Sequence, residues 1–98
     1  MNLQPPYYAV IFTANRSENV KGYQELSEKL FNIAQTQSGF LGKESAGEDF
    51  EITVSYWKDL ESISAWKANP DHIVAQTLAS RAWYKNYKVR IAKVEREY

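Results

Sequence analysis

The stretch Tyr7–Ala14, YYAVIFTA, is β-branched and aromatic, and it carries apolar residues at odd and even positions alike. A half-covered strand alternates apolar and polar residues. A strand without that alternation belongs in the middle of a sheet covered on both faces. The chain around it has 98 residues, which is the length of one small domain, because two separate cores would each be too small to be stable alone. Residues 1–98 are therefore read as a single domain built around Tyr7–Ala14.

The remaining segments supply what such a strand needs. In Tyr23–Thr36, Tyr23, Leu26, Leu30, Ile33 and Ala34 fall on one stripe, with Glu25, Glu28, Lys29 and Asn32 opposite, which predicts an amphipathic helix ended by Gly39. Phe40–Ala46 and Phe50–Trp57 read as strands joined by the turn Gly47-Glu48-Asp49, an antiparallel hairpin. Asp59 is placed to cap a short helix with Leu60, Ile63 and Trp66 on its apolar stripe. Asn69-Pro70 interrupts that helix and starts a second helical piece reaching to about Ala82. Tyr87–Glu95 reads as the last strand. Its apolar alternation switches face at Ala92 and Val94, which predicts a bulge near Ala92.

The order β-α-β-β-α-β is the split-βαβ, ferredoxin-like arrangement, an α+β fold with a four-stranded antiparallel sheet and its helices on one face. Those helices cover only one face, yet Tyr7–Ala14 and Phe50–Trp57 are apolar on both. The second face is expected to pack on its counterpart in a second copy, giving a homodimer through sheet faces.

Composition narrows the chemistry. Lys plus Arg is 12 and Asp plus Glu is 12, so there is no basic footprint for nucleic acid, and the Lys/Arg-Gly-Phe strand motif of an RNA-recognition module is missing. The absence of cysteine excludes a disulfide scaffold, a thiolate metal site and a cysteine nucleophile. A lone histidine excludes a multi-histidine metal site within one chain. Glycines at 22, 39, 42 and 47 form no phosphate-cradling loop. The longest apolar run, Tyr7–Phe12, is too short to span a membrane, and Met1–Pro6 does not look like a signal peptide, so a cytoplasmic protein is expected. Aromatic residues are 14% of the chain, more large side chains than a small core needs, which points to an oligomer interface or an aromatic-lined pocket.

Three residues stand out as site candidates. His72, the group that titrates near neutral pH, lies in the first turn after Pro70, either as a pocket acid or base or as an ordinary helix-start histidine beside Asp71. Trp66 has the spacing of a core residue and would equally wall a pocket between helix and sheet. Asn15 ends the first strand, where it either starts a turn or serves a site. Trp57, Trp83, Tyr84 and Tyr87 fall near strand ends and are read as dimer packing and sheet edge.

Several phrases together resemble one family over nearly the whole chain. They are YYAVIFT at the start, Ala34-Gln-Thr-Gln-Ser-Gly-Phe-Leu-Gly-Lys-Glu-Ser45, Ser55-Tyr-Trp-Lys-Asp59, Ala65-Trp66 with His72, and Trp83-Tyr-Lys-Asn-Tyr87 with Arg90 and Val94-Glu-Arg96. The family is that of the antibiotic-biosynthesis-monooxygenase-like proteins, dimeric α/β barrels. The resemblance implies a ferredoxin-like protomer paired sheet to sheet. It also implies one of two chemistries: cofactor-free oxygenation of aromatic phenols, in which the substrate itself gives the electron to oxygen, or oxidative cleavage of haem. For the second, Trp66 and Asn15 match the family's tryptophan and asparagine. The iron-ligating histidine, about ten residues after the tryptophan, falls on Gln76, whose amide binds iron less well than imidazole, with His72 one turn earlier. The resemblance thus implies a monooxygenase without a cofactor, acting on a small aromatic or quinone-like molecule. In it His72 handles the proton, Asn15 orients substrate or an oxyanion, and Trp66 walls the site. The alternatives are a non-catalytic small-ligand binder or stress-related protein, and a haem degrader that uses His72.

Overall fold

The computed structural model describes residues 3–18, 22–78 and 83–98. Its elements are β1 (Tyr7–Arg16), α1 (Tyr23–Gln35), β2 (Phe40–Ala46), β3 (Phe50–Trp57), α2 (Leu60–Lys67), α3 (Pro70–Leu78) and β4 (Tyr84–Val94). The strands form one antiparallel sheet in the order β2-β3-β1-β4. β1 is thus interior, as its apolar character on both faces requires, and the arrangement is the ferredoxin-like α+β fold.

Local signals account for the helix boundaries. Gly22 enters α1 with a φ of 80°. The Asp59 carboxylate caps α2 by accepting from the Ser62 N–H at 2.8 Å. Asn69 Oδ1 caps α3, accepting from the N–H groups of Asp71 at 2.9 Å and His72 at 3.4 Å. Pro70, which has no N–H to satisfy, takes the first helical position. The expected reach of this helix to about Ala82 falls on residues 79–82, outside those described.

The strands depart from expectation at their ends. β1 continues past Ala14 because Asn15 pairs with Asn86 and Arg16 with Tyr84. β4 accordingly starts at Tyr84, three residues early, with its irregularity at that point and none near Ala92. Ala92 pairs with Ala9 and Val94 with Tyr7 in regular register, so both fall on the open face beside apolar neighbours, Ala92 exposed and Val94 half-buried.

Val10, Phe12 and Arg16 of β1 share the helix side of the sheet with Glu51, Thr53, Ser55 and Trp57 of β3 and with Tyr87, Val89 and Ile91 of β4. Ala9, Ile11, Ile52, Val54 and Tyr56 point to the other, open face. There the Tyr7 ring meets Tyr56 edge-on at 5.7 Å and its hydroxyl donates to Glu97 at 2.8 Å. Phe50 and Ile52 stay 49% and 41% exposed. Trp57 and Trp83, expected at a dimer surface, are instead buried within the protomer. Trp57 fills the core against Phe40 and Trp66, and Trp83 meets Tyr23 edge-on.

The turn from α1 into β2 depends on Gly39. Its φ is 87°, and a Cβ there would lie 2.1 Å from Ser62 Oγ. Gly39→Ala is therefore expected to cost about 2 kcal/mol or more, from the left-handed backbone and the clash together. Urea unfolding measures this, and an unchanged midpoint would show that the turn tolerates a side chain.

Candidate functional site

A cavity of about 650 Å³ lies between the sheet and its helices. Its two ends differ in chemistry. Glu51 pairs across from Ala14 and Trp57 from Tyr8, so these levels lie roughly 20 Å apart along the strand, at about 3.3 Å per residue.

The aromatic end is a stack. Trp66 lies over Trp57 with ring centroids 6.2 Å apart, and His72 lies nearly parallel on Trp66 at 4.6 Å and 11°. His72 Nδ1 is 3.1 Å from the Trp66 carbonyl oxygen. A carbonyl only accepts, so Nδ1 carries the proton and donates it, leaving Nε2 with a lone pair. Burial holds the imidazole below its ordinary pKa of 6.5, against the opposite pull of the Trp66 carbonyl. His72 is thus a neutral base in the cavity wall at neutral pH. Gln76, one turn further along α3, lines the same cavity.

The polar end is built on Glu51, 5% exposed. Its Oε1 accepts from Arg16 Nε at 3.1 Å and Nη2 at 2.9 Å, from Tyr84 at 3.3 Å and, in a short hydrogen bond, from Tyr23. Its Oε2 accepts from Thr53 at 3.0 Å. Burial works to raise the carboxyl pKa, but the bonds from Tyr23, Arg16 and Thr53 outweigh it and keep Glu51 below the usual carboxylate value. Burial, reinforced by Glu51, pushes Tyr23 up against the opposite pull of Tyr84 and Arg16, and burial with Tyr23 and Glu51 pushes Tyr84 up, so neither phenol ionises at neutral pH. Arg16 also lies 4.6 Å from the Tyr23 ring centroid.

Of the three residues singled out from sequence, His72 and Trp66 come together in the cavity wall. Asn15 does not join them. It is exposed on the open face, where its amide donates to Asn86 at 2.9 Å. Sequence reasoning missed Arg16, Tyr23, Glu51 and Tyr84 as a group. One signal was available: Glu51, Thr53 and Ser55 put polar groups on the same side of β3 as the bulky Trp57. Among the described residues no group of three or more His, Cys, Asp or Glu is placed to hold a metal ion. Of what haem needs, the cavity offers one axial imidazole, His72. Gln76 adds only an amide.

Solved structures show the class of this fold. The chain superposes on a conserved protein from Methanosarcina mazei Go1 with a TM-score of 0.82 at 16% identity, over 92% of this chain and 94% of that one. A putative antibiotic biosynthesis monooxygenase from Nitrosomonas europaea gives 0.80 at 11% identity, over 96% and 95%. SnoaB, a cofactor-independent oxygenase from Streptomyces nogalater, gives 0.80 at 9% identity, over 95% and 97%. The protein has the antibiotic-biosynthesis-monooxygenase-like fold, and at such identities the likeness is one of fold. No protein-family model matches the chain. In sequence it is 45% identical over 96 residues to the uncharacterized protein YqjZ of Bacillus subtilis (strain 168), covering 96% of this chain and 84% of that protein. The chain belongs to the YqjZ family. No helix among the described residues is long and apolar enough to cross a membrane.

Two outcomes follow from the electrostatics. Because the folded pKa of His72 is lowered, the unfolded chain takes up its proton first as the pH falls. The stability conferred by the neutral ring is complete above 6.5 and is lost as the pH drops from there through the folded value. Comparing chemical denaturation of the wild type and His72→Gln between neutral and mildly acid pH should show this slope flattened in the variant. At the other end, Arg16→Met leaves Glu51 without its cation. Breaking a buried pair costs about 3–5 kcal/mol, and Arg16 is 23% exposed, so a loss of about 2–3 kcal/mol is expected in urea unfolding.

Proposed function

We propose that the protein is a cofactor-independent monooxygenase that takes a small aromatic phenol into the cavity, with His72 as the proton acceptor. The observation that carries this reading is the state of His72: its Nδ1–H is committed to the Trp66 carbonyl and its Nε2 is left basic, in a cavity walled by aromatic rings. The phenolic O–H gives its proton to Nε2 and the electron pair stays on oxygen. The phenolate then passes an electron to O2, and the substrate radical and superoxide combine to form a C–O bond. The peroxide anion so formed takes the proton back from His72 Nε2, and the hydroperoxide loses water with the hydrogen of the same carbon to leave a carbonyl. One oxygen atom of O2 ends in the substrate and the other in water, so O2 is the sole oxidant. Lys43 and Lys67 line the cavity, and their charges favour the phenolate. SnoaB, described as a cofactor-independent oxygenase, supports the reading through a shared fold.

The open face favours a homodimer as the working form. Exposed Phe50 and Ile52 lie there beside Val54 and Tyr56 on a face that no described helix covers.

Oxygen uptake with a panel of acidic phenols tests the reaction. His72→Ala is expected to lose about a hundredfold or more in turnover, the usual contribution of a general base, with its melting temperature little changed. Undiminished turnover in that variant would sink the role of His72. No turnover by the wild type on any phenol that binds would favour the ligand-binder alternative. A haem titration should give no saturable Soret shift. A one-per-protomer shift that disappears in His72→Ala would replace this reading with haem chemistry.

A further inference from the structure

The cavity wall holds more positive charge than it matches. Arg16, Lys43 and Lys67 line it, and the acid among the described lining residues is Glu51, which is paired with Arg16 at 2.9 Å. Lys67 ends α2 and is exposed, where water and salt screen it. Lys43 is half-buried, and no carboxylate among the described residues pairs with it. It stands opposite Ser55 across β2 and β3, so the two side chains leave the sheet on its helix side with their Cβ atoms about 5 Å apart. Lys43 Nζ lies 4.6 Å from the centroid of the Phe31 ring in α1. That cation–π contact leans the ammonium over the cavity. Ser55 is committed on one side only. Its Oγ accepts from Trp57 Nε1 at 3.0 Å. An indole N–H only donates, so this bond uses a serine lone pair and leaves the serine proton to be given elsewhere. No group among the described residues accepts it. Trp57, fully buried against Phe40 and Trp66, keeps Oγ in that orientation.

We propose that Lys43 and Ser55 form a subsite for a carboxylate, and that the cavity takes an aromatic acid. An ammonium and a hydroxyl on one face of the sheet, both in need of an acceptor, suit the two oxygens of one carboxylate. A phosphate, with its greater charge and third oxygen, calls for more donors than one cation and one hydroxyl. The surroundings choose the rest of the molecule. Phe31 meets Phe40 edge-on at 6.2 Å, and Phe40 meets Trp57 at 5.2 Å, so an aromatic wall begins beside the charged group. Ser55 is about 7 Å along the strand from Trp57, whereas Glu51 lies about 13 Å off in the other direction. A ring attached to the carboxylate therefore reaches the aromatic end without spanning the cavity. The subsite goes beyond the oxygenase reading and stands without it, because it concerns how a ligand is held, whether or not that ligand is then oxidised.

Calorimetric titration at neutral pH with naphthoate and with naphthamide tests the proposal. The two probes share a ring and nearly a shape, and neither carries a phenol to be oxidised. The wild type should bind naphthoate about tenfold more tightly, the worth of one charge-assisted contact. Lys43→Met keeps most of the side chain's length and should bring naphthoate down to the affinity of the amide, with the amide unchanged. Ser55→Ala should weaken naphthoate about fivefold, the worth of one hydrogen bond. Lys67→Met should leave the preference in place. Melting curves confirm that the variants fold. Equal affinities in the wild type would overturn the proposal, and so would a preference that survives Lys43→Met or is lost in Lys67→Met instead. Equal weakening of both probes in Lys43→Met, the mark of a merely structural role, would overturn it too, as would an unchanged naphthoate affinity in Ser55→Ala. If neither probe binds, the subsite falls, while oxygen uptake with phenols still decides the oxygenase reading on its own.

Discussion

Burying the carboxylate of Glu51 costs several kcal/mol unless its charge is matched and its lone pairs are filled, and four elements converge to do so. Arg16 comes from the end of β1, Tyr23 from the first turn of α1, Thr53 from β3 itself and Tyr84 from the start of β4. The geometry at this end follows from that demand. β1 must run on to Arg16, and β4 must begin early enough to present Tyr84. The Ser17 N–H reaches the Trp83 carbonyl at 2.7 Å, tying the two strand ends together. An apolar cluster would close this end of the fold without any desolvation cost.

β3 carries the same logic along its length. In a sheet covered on one face, apolar residues point to the helices and polar ones to solvent. In β3 the pattern is inverted: Glu51, Thr53 and Ser55 face the cavity, whereas Ile52, Val54 and Tyr56 face away from the helices. Two consequences share this one cause. On the helix side β3 carries polar groups into a chamber otherwise walled by apolar and aromatic side chains, and the open side is left with apolar surface that water does not satisfy. Cavity and open apolar face are the two sides of a single strand, so a change that repacks one is felt by the other.

The element order was legible because each segment announces its period. The stripe of α1 and the hairpin of β2 and β3 match their expected bounds closely, since local pattern and tertiary role agree there. The ends of β1 and β4 were not legible, because Asn15, Arg16 and Asn86 read as turn residues until their partners across the sheet are known. The switch of face at Ala92 and Val94 reads as a bulge when the strand is taken alone. They sit instead on an open face that is itself apolar. His72 and Trp66 could be found because helix spacing and a cap place both. Glu51 could not. Flanked by Phe50 and Ile52, it reads as a solvent-facing position, and only Arg16, Tyr23 and Tyr84, distant in sequence, make it a buried one. Trp57 misled in the opposite sense, since a tryptophan at a strand end looks like interface until α2 is seen to lay Trp66 over it.

Proton energetics constrain the proposed substrate further. An ordinary phenol has a pKa near that of tyrosine, about 10. His72 sits below 6.5 because it is buried. Transfer from one to the other is therefore uphill by at least about 3.5 units, close to 5 kcal/mol at about 1.36 kcal/mol per unit. Raising the basicity of the imidazole is not open to this site, because the burial that lowers it also creates the stack on Trp66. The difference has to be made up on the substrate side. Lys43 and Lys67 supply part of it by stabilising the anion, although Lys43 is shared with the Phe31 ring at 4.6 Å. The rest must be intrinsic to the ligand, through a second ring or a conjugated carbonyl over which the negative charge spreads. A delocalised phenolate is also the kind that gives an electron to O2 readily. The weak base and the need for an electron-rich anion thus select the same molecule, and a simple monocyclic phenol meets neither requirement.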